Sequence, residues 1–210
     1  MIATTQALQD LLDRSAIIQA VQDWGFWRDN GKWEQLRNAY TPDGLMTTTW
    51  CVGTADDFVN HLVEAAKKGV QRRSMHFIGA TTVQLNGNKA IAETRMVLLV
   101  RGILQGVEVD VTNYGRTYDR FGKHDGRWRI KMRVPIYEKD RMDPVDPAAI
   151  VKLDPAELAR YPYGYRHLAY LQAAEGARIT PDLPTPNSAA LERLYAEGSA
   201  WLAAACGAAG

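Results

Sequence analysis

Cysteine is nearly absent: Cys51 and Cys206 are the only two among 210 residues. Two thiols make neither a disulfide framework nor a four-thiolate zinc site. Long apolar runs are missing too. No stretch reaches the ~18 consecutive apolar residues of a membrane-spanning helix. The first ten residues lack the basic start and apolar run of a signal peptide. Neither sign of charge is in excess, since 25 basic residues face 24 acidic ones for a net charge of +1. That balance gives no electrostatic footing for nucleic acid or an anionic membrane. The phosphate-cradling patterns GxxxxGK(S/T) and GxGxxG after a strand do not occur, nor do HExxH and GxSxG. The expectation is a soluble, cytoplasmic protein that binds neither nucleic acid nor membrane and carries no cofactor and no metal.

What is present reads as one domain with an appendage. Hydrophobic residues make up 46% of the chain and charged residues 23%, an ordinary globular composition. Ile17, Val21, Trp24 and Trp27 recur at helical spacing between Asp13 and Asp29. Asn30-Gly31 is a helix-ending pair. A second short helix is expected over Trp33–Tyr40, stopped by Thr41-Pro42-Asp43-Gly44, a turn signal. Leu45–Val52 reads as a strand. Thr54 and Asp57 form a capping box for a helix running to Gly69. The period then changes from 3.6 to 2. Strands are expected at about Ser74–Leu85, Lys89–Leu104, Val107–Phe121 and Arg127–Glu138. They are joined by Asn86-Gly87-Asn88, Gln105-Gly106 and His124-Asp125-Gly126. Connections this short make an antiparallel meander. The fold class is α+β, a curved antiparallel sheet closed on one face by N-terminal helices. Asp143-Pro144-Val145-Asp146-Pro147 reads as a linker, so the domain spans 1–140 and an extension spans 141–210. Helices are expected in the extension at Pro155–Gln172 and Ser188–Ala205. Four tyrosines lie between Tyr161 and Tyr170. The extension is expected to pack on the domain or on a neighbouring subunit.

Few polar residues interrupt the apolar elements. Asp29 ends the first long helix beyond Trp24 and Trp27, at the negative end of the helix dipole and beside aromatics, a setting that suits a general acid or base. The alternative is a solvated helix-end carboxylate. His76 opens the apolar run His76-Phe77-Ile78-Gly79; it is either a proton carrier or a hydrogen-bonded structural residue. Asn113 shares a strand face with Val107, Val109, Val111, Gly115 and Thr117, where an amide needs a partner or a ligand. Arg133 and Tyr137 lie late in the last strand, within reach of a pocket mouth. His61 and Glu64 lie three apart on a helix, as two metal ligands or an exposed pair. Cys51 is a small buried residue or a nucleophile.

Four stretches resemble one family when taken in order: Asp13-Arg14-Ser15-Ala16-Ile17; Trp24-Gly25-Phe26-Trp27-Arg28-Asp29-Asn30-Gly31-Lys32-Trp33; His76-Phe77-Ile78-Gly79; and Tyr114-Gly115-Arg116-Thr117-Tyr118-Asp119 with Gly126-Arg127-Trp128-Arg129-Ile130. Over about residues 5–140 the chain resembles the SnoaL-like branch of the nuclear-transport-factor-2-like superfamily. That branch includes scytalone dehydratase, bile-acid dehydratases, ketosteroid-isomerase-like enzymes and polyketide cyclases. Similar sequences include bacterial lyases that deformylate lignin-derived diarylpropanes. The resemblance implies a cone with an apolar interior pocket and no cofactor. It also implies an acid–base pair at the positions of Asp29 and His76.

In the family a tyrosine is common five residues before that aspartate. Here Trp24 stands there, leaving Tyr40, Tyr114 or Tyr137 to supply a phenol. The implied function is a lyase, either a dehydratase or a carbon–carbon deformylating lyase, acting on a small aromatic or polycyclic alcohol. Trp24, Trp27, Trp50 and Phe77 would form the apolar wall. Asn113, Arg133 and a tyrosine would steady developing negative charge. The alternatives are an isomerase on the same scaffold and a non-catalytic ligand-binding or assembly domain. A homotrimer is implied, with a dimer second.

Overall fold

The computed structural model describes residues 2–68 and 73–204. Six helices and six strands follow the order α1 (Ile2–Asp29), α2 (Trp33–Asn38), β1 (Tyr40–Thr47), β2 (Val52–Thr54), α3 (Ala55–Lys67), β3 (Arg73–Asn86), β4 (Lys89–Leu104), β5 (Val107–His124), β6 (Arg127–Pro144), α4 (Pro155–Leu158), α5 (Arg166–Ala174) and α6 (Ala189–Ala203). The strands form one sheet in the order β2-β1-β6-β5-β4-β3. The antiparallel meander is as expected, since β3 to β6 pair in sequence order. The class is α+β. The sheet's concave face is closed by α1 and α3, whose Ile17, Val21, Trp24, Phe58 and Val59 are fully or almost fully buried against Ala92, Phe121 and Ile130.

Two local signals behave as expected. Gly31 takes φ +67°, and Lys32 N–H reaches back to Trp27 O at 2.9 Å, ending α1. Thr54 and Asp57 cap α3 reciprocally.

Other expectations need correction. Tyr40 belongs to β1 rather than to the second helix, and Thr41-Pro42-Asp43-Gly44 bulges out of that strand instead of ending a helix. Tyr40 pairs with Ile130 and Leu45 already with Met132, so five steps on β1 face two on β6. Proline cannot donate to the ladder, and a Cβ at Gly44 would stand 2.8 Å from Tyr40 Cβ. The Leu45–Val52 strand is interrupted at Thr48–Cys51, where the Thr48 hydroxyl accepts from Cys51 N at 2.9 Å in place of a ladder bond. Helix α3 ends at Lys67, and Gly69 lies outside the described residues, as does Cys206.

The proposed linker also differs. Asp143 and Pro144 are the end of β6, paired with Asp110 and Val109. The single helix expected over Pro155–Gln172 is two, separated around Pro162 and Gly164. A side chain at Gly164 would collide with Tyr137 O, 2.3 Å from the position of a Cβ. The tyrosine-rich stretch turns inward on its own chain: Tyr165 is fully buried, Tyr161 and Tyr170 pack against the same cluster, and only Tyr163 is well exposed. Helix α5 seals the far end of the concave face over Val100, Leu104, Val109 and Val111. Helix α6 covers part of the outer face over Ile91, Tyr118, Val134 and Ile136. No helix among the described residues is long and apolar enough to cross a membrane.

Candidate functional site

The concave face holds a cavity that opens to solvent at its mouth. Helix α1 contributes Trp24 and Arg28, the loop after β1 contributes Thr48, Thr49 and Trp50, and α3 contributes Phe58. The sheet supplies side chains from alternate positions of four strands. His76 faces Leu98, Thr117 faces Pro135, and Tyr137 faces Gly115 across the ladders. Glu138 is the extra residue of a bulge between Tyr114↔Lys139 and Gly115↔Tyr137, which keeps Tyr137 on the inner face.

Asp29 and His76, 47 residues apart, meet. One Asp29 oxygen accepts from the His76 backbone N–H and the other lies 2.6 Å from Nδ1. Gly25 lets the helix close on the strand, because a Cβ there would lie 2.9 Å from Ile78 Cγ1 and 3.7 Å from His76 Cβ. A carboxylate can only accept, so Nδ1 carries the proton and Nε2 is the basic nitrogen left for the cavity. Trp24 sets its indole edge to face the imidazole, 5.4 Å between ring centres.

Burial pushes the His76 pKa below 6.5. The positive charges of Arg28 and Arg133 push the same way, and Asp29 opposes them without prevailing. The imidazole is therefore neutral at pH 7. An NMR titration of its ring protons is expected to show a midpoint below 6.5. The unfolded chain takes up this proton more readily than the folded one. The stability this histidine contributes is thus complete above pH 6.5 and is lost as pH falls through the folded midpoint.

Arg133 is the largest fully buried side chain, 1% exposed, and lies under the cavity rather than at its mouth. Its Nε and Nη2 donate to the Asp119 carboxylate at 2.7 and 2.8 Å. Its Cζ stacks 4.0 Å from the centre of the Trp24 ring. Burial works against the charge, but Asp119 outweighs it and the guanidinium is held charged. Nη1 has no hydrogen-bond partner among the described residues and almost no accessible surface of its own; the guanidinium as a whole puts a positive charge in the cavity wall.

Other expected site residues are placed differently. Asn113 is buried but spent, its amide donating to Gly164 O at 2.9 Å, and it does not line the cavity. Phe77 points to the outer face, 66% exposed, because it alternates with His76 along β3. Trp27 packs against the core cluster without lining the cavity. The Tyr40 hydroxyl accepts from Trp24 Nε1 at 2.9 Å and contacts Met46 Sδ at 3.3 Å. Burial pushes that phenol's pKa well up, and it supports Trp24 rather than lining the cavity. Tyr114 lies on the outer face beneath Lys139. Trp24, Trp50, His76, Arg133 and Tyr137 do line the cavity.

His61 Nδ1 contacts Asp57 O and Glu64 pairs with Lys67. Among the described residues no three metal-ligating side chains converge. Cys51 is buried, which pushes its thiol pKa up, and it does not line the cavity.

Sequence reasoning missed Asp119, Thr49 and Gln172. Asp119 was within reach, since one more step of the Asn113–Thr117 alternation places it on the same inner face. Thr49 and Gln172 carry no local signal; they meet across 123 residues.

Comparison with known proteins agrees with the fold. The SnoaL-like domain matches residues 9–134. A PEP2-like protein from Fusarium vanettenii is 30% identical over 205 residues, covering 91% of this chain and 86% of its own. A nuclear-transport-factor-2-like protein with a cystatin-like fold from Novosphingobium aromaticivorans superposes with a TM-score of 0.54 at 19% identity, over 71% of this chain and 92% of that one. A type 2 hexachlorocyclohexane dehydrochlorinase superposes with a TM-score of 0.54 at 14% identity, over 71% of this chain and 98% of that one. Likenesses so distant in sequence establish the fold and leave the chemistry to be argued from side chains.

Proposed function

The chain belongs to the SnoaL-like domain family, and from that premise we propose that it is a cofactor-independent lyase acting on a small aromatic or polycyclic alcohol. The observation that carries this reading is the Asp29–His76 pair: a neutral imidazole oriented by a carboxylate, with its free nitrogen available to an aromatic-walled cavity. A solved neighbour with this fold is a dehydrochlorinase, so the scaffold is compatible with elimination.

In a dehydration, His76 Nε2 takes a proton from the carbon next to the one bearing the hydroxyl. The C–H pair becomes the new double bond. The C–O bond breaks, and the imidazolium returns the proton to the departing oxygen, which leaves as water. In the deformylating variant the imidazole takes the hydroxyl proton of a primary alcohol and the C–C bond breaks. Formaldehyde leaves, and the proton returns to the carbon that keeps the electron pair. Either course builds negative charge on the substrate, which the Arg133 guanidinium in the cavity wall would offset. Asp29 holds the imidazole tautomer and stabilises the imidazolium.

The test is incubation of the purified protein with panels of lignin-derived, steroidal and polyketide alcohols, read by mass spectrometry. Loss of water or formaldehyde from a member of one panel is expected. Solvent deuterium incorporation without loss of either would instead assign an isomerase, and recovery of every compound unchanged and unlabelled would overturn the catalytic reading.

A further inference from the structure

We propose that Gln172, carried by the C-terminal extension, donates a hydrogen bond to an oxygen of the bound ligand and so selects ligands bearing an acceptor oxygen, such as a ring ketone. The proposal rests on the reading of the cavity as a ligand site and adds to it a specificity-determining residue from outside the matched domain, which ends at residue 134.

Gln172 lines the cavity from α5 and is 5% exposed. Its Oε1 accepts from the Thr49 hydroxyl at 2.5 Å. Thr49 is itself 1% exposed. An amide has one oxygen and one NH₂ group. With the oxygen fixed on Thr49, the NH₂ is directed away from it. Its nitrogen is not one of the buried side-chain atoms that lack a partner, and no hydrogen bond among the described residues uses it, so it keeps accessible surface at which a ligand oxygen can accept its hydrogens.

The side chain is held there by a firmly seated helix. At the start of α5, the Asp140 carboxylate accepts from His167 Nδ1 and from Leu168 N, both at 2.8 Å. Asn113 ties Gly164 O just before it. At its far end, a Cβ on Gly102 would stand 3.0 Å from Leu171 Cδ2, so β4 and α5 meet without room to shift. The loop before β2 is tied as well, Thr180 N donating to Thr49 O at 2.8 Å. The extension thus completes the cavity wall and supplies a neutral donor to it, alongside the positive charge of Arg133.

The probes are 1-tetralone and tetralin, bicyclic molecules that differ by one carbonyl. Binding to the full chain is followed by the fluorescence of Trp24 and Trp50, both in the cavity wall. A single neutral hydrogen bond predicts that tetralone binds about 3- to 10-fold more tightly than tetralin. In Gln172→Met, which keeps the volume and removes the amide donor, the preference is expected to fall by about 3- to 10-fold. Thr49→Val leaves Gln172 in place but frees its oxygen, and is expected to lose part of the preference. Circular dichroism and thermal unfolding confirm that each variant is folded.

A carbonyl preference that survives intact in Gln172→Met overturns the proposal and assigns the ketone to another donor. Equal binding of the two probes by the unaltered protein overturns it as well. Binding of neither probe removes both this proposal and the ligand site on which it stands. A carbonyl preference that depends on Gln172, with no alcohol turned over, supports the proposal and counts against the lyase alone.

Discussion

Replacing His76 with alanine is expected to cut turnover at least about 100-fold, because general acid–base help contributes roughly 10²–10⁴-fold and no other side chain at the cavity offers a neutral base at pH 7. Of the remaining polar groups in the wall, Arg28 and Arg133 are cations, Thr48, Thr49, Ser74 and Thr117 are hydroxyls, Gln172 is an amide, and Tyr137 is a phenol whose pKa burial pushes up. His76→Gln preserves most of the volume and is expected to lose as much, which separates lost chemistry from lost packing.

Asp29 does not line the cavity and acts through His76, as a positioning residue. Asp29→Asn is expected to lower the rate and to move the acid limb of the pH–rate profile further down, since Asp29 is the group that raises the His76 pKa against burial. A merely structural role would change the rate without moving that limb. Near-normal turnover by His76→Ala would remove the imidazole from the mechanism.

Asp29 and His76 were legible as candidates because a carboxylate at the end of an apolar helix and a histidine at the head of an apolar strand are local anomalies; each left a structural alternative open, and that the two form a pair was implied by the family resemblance. The meander was legible for the same reason, because Asn86-Gly87, Gln105-Gly106 and Asp125-Gly126 state their turns in adjacent residues.

The failures share a different cause. Phe77 was assigned to the wall although it alternates with His76, and two neighbours on a strand cannot face the same cavity. Asn113 was read as reaching for a ligand because its partner, Gly164 O, lies 51 residues on. Arg133 was placed at the mouth because the sequence does not show that Asp119 neutralises it on the next strand. Gln172 had no signal at all, since a glutamine on an amphipathic helix looks the same whether it meets water or a cavity. What depends on contacts between distant elements was the part that could not be read.

The second large effect concerns that buried pair. Arg133 and Asp119 are 1% and 0% exposed and joined by two hydrogen bonds. Removing one partner strands the other's charge in the interior, so Asp119→Ala is expected to lower stability by about 3–5 kcal/mol in urea denaturation. The double replacement of Asp119 by leucine and Arg133 by methionine takes both charges away and is expected to recover most of that loss. Activity should follow a different course. The double variant keeps the fold and the His76–Asp29 pair but lacks the positive charge in the cavity wall, and loss of one group that stabilises developing negative charge costs roughly 10²–10³ in rate. Stability recovered with activity still missing would mean that the ion pair is kept for the positive charge it puts in the cavity wall, with Asp119 serving to hold the guanidinium charged where water is scarce. An Asp119→Ala protein within about 1 kcal/mol of the original would mean that solvent reaches the pair, and a double variant with full activity would mean that Arg133 only packs against Trp24.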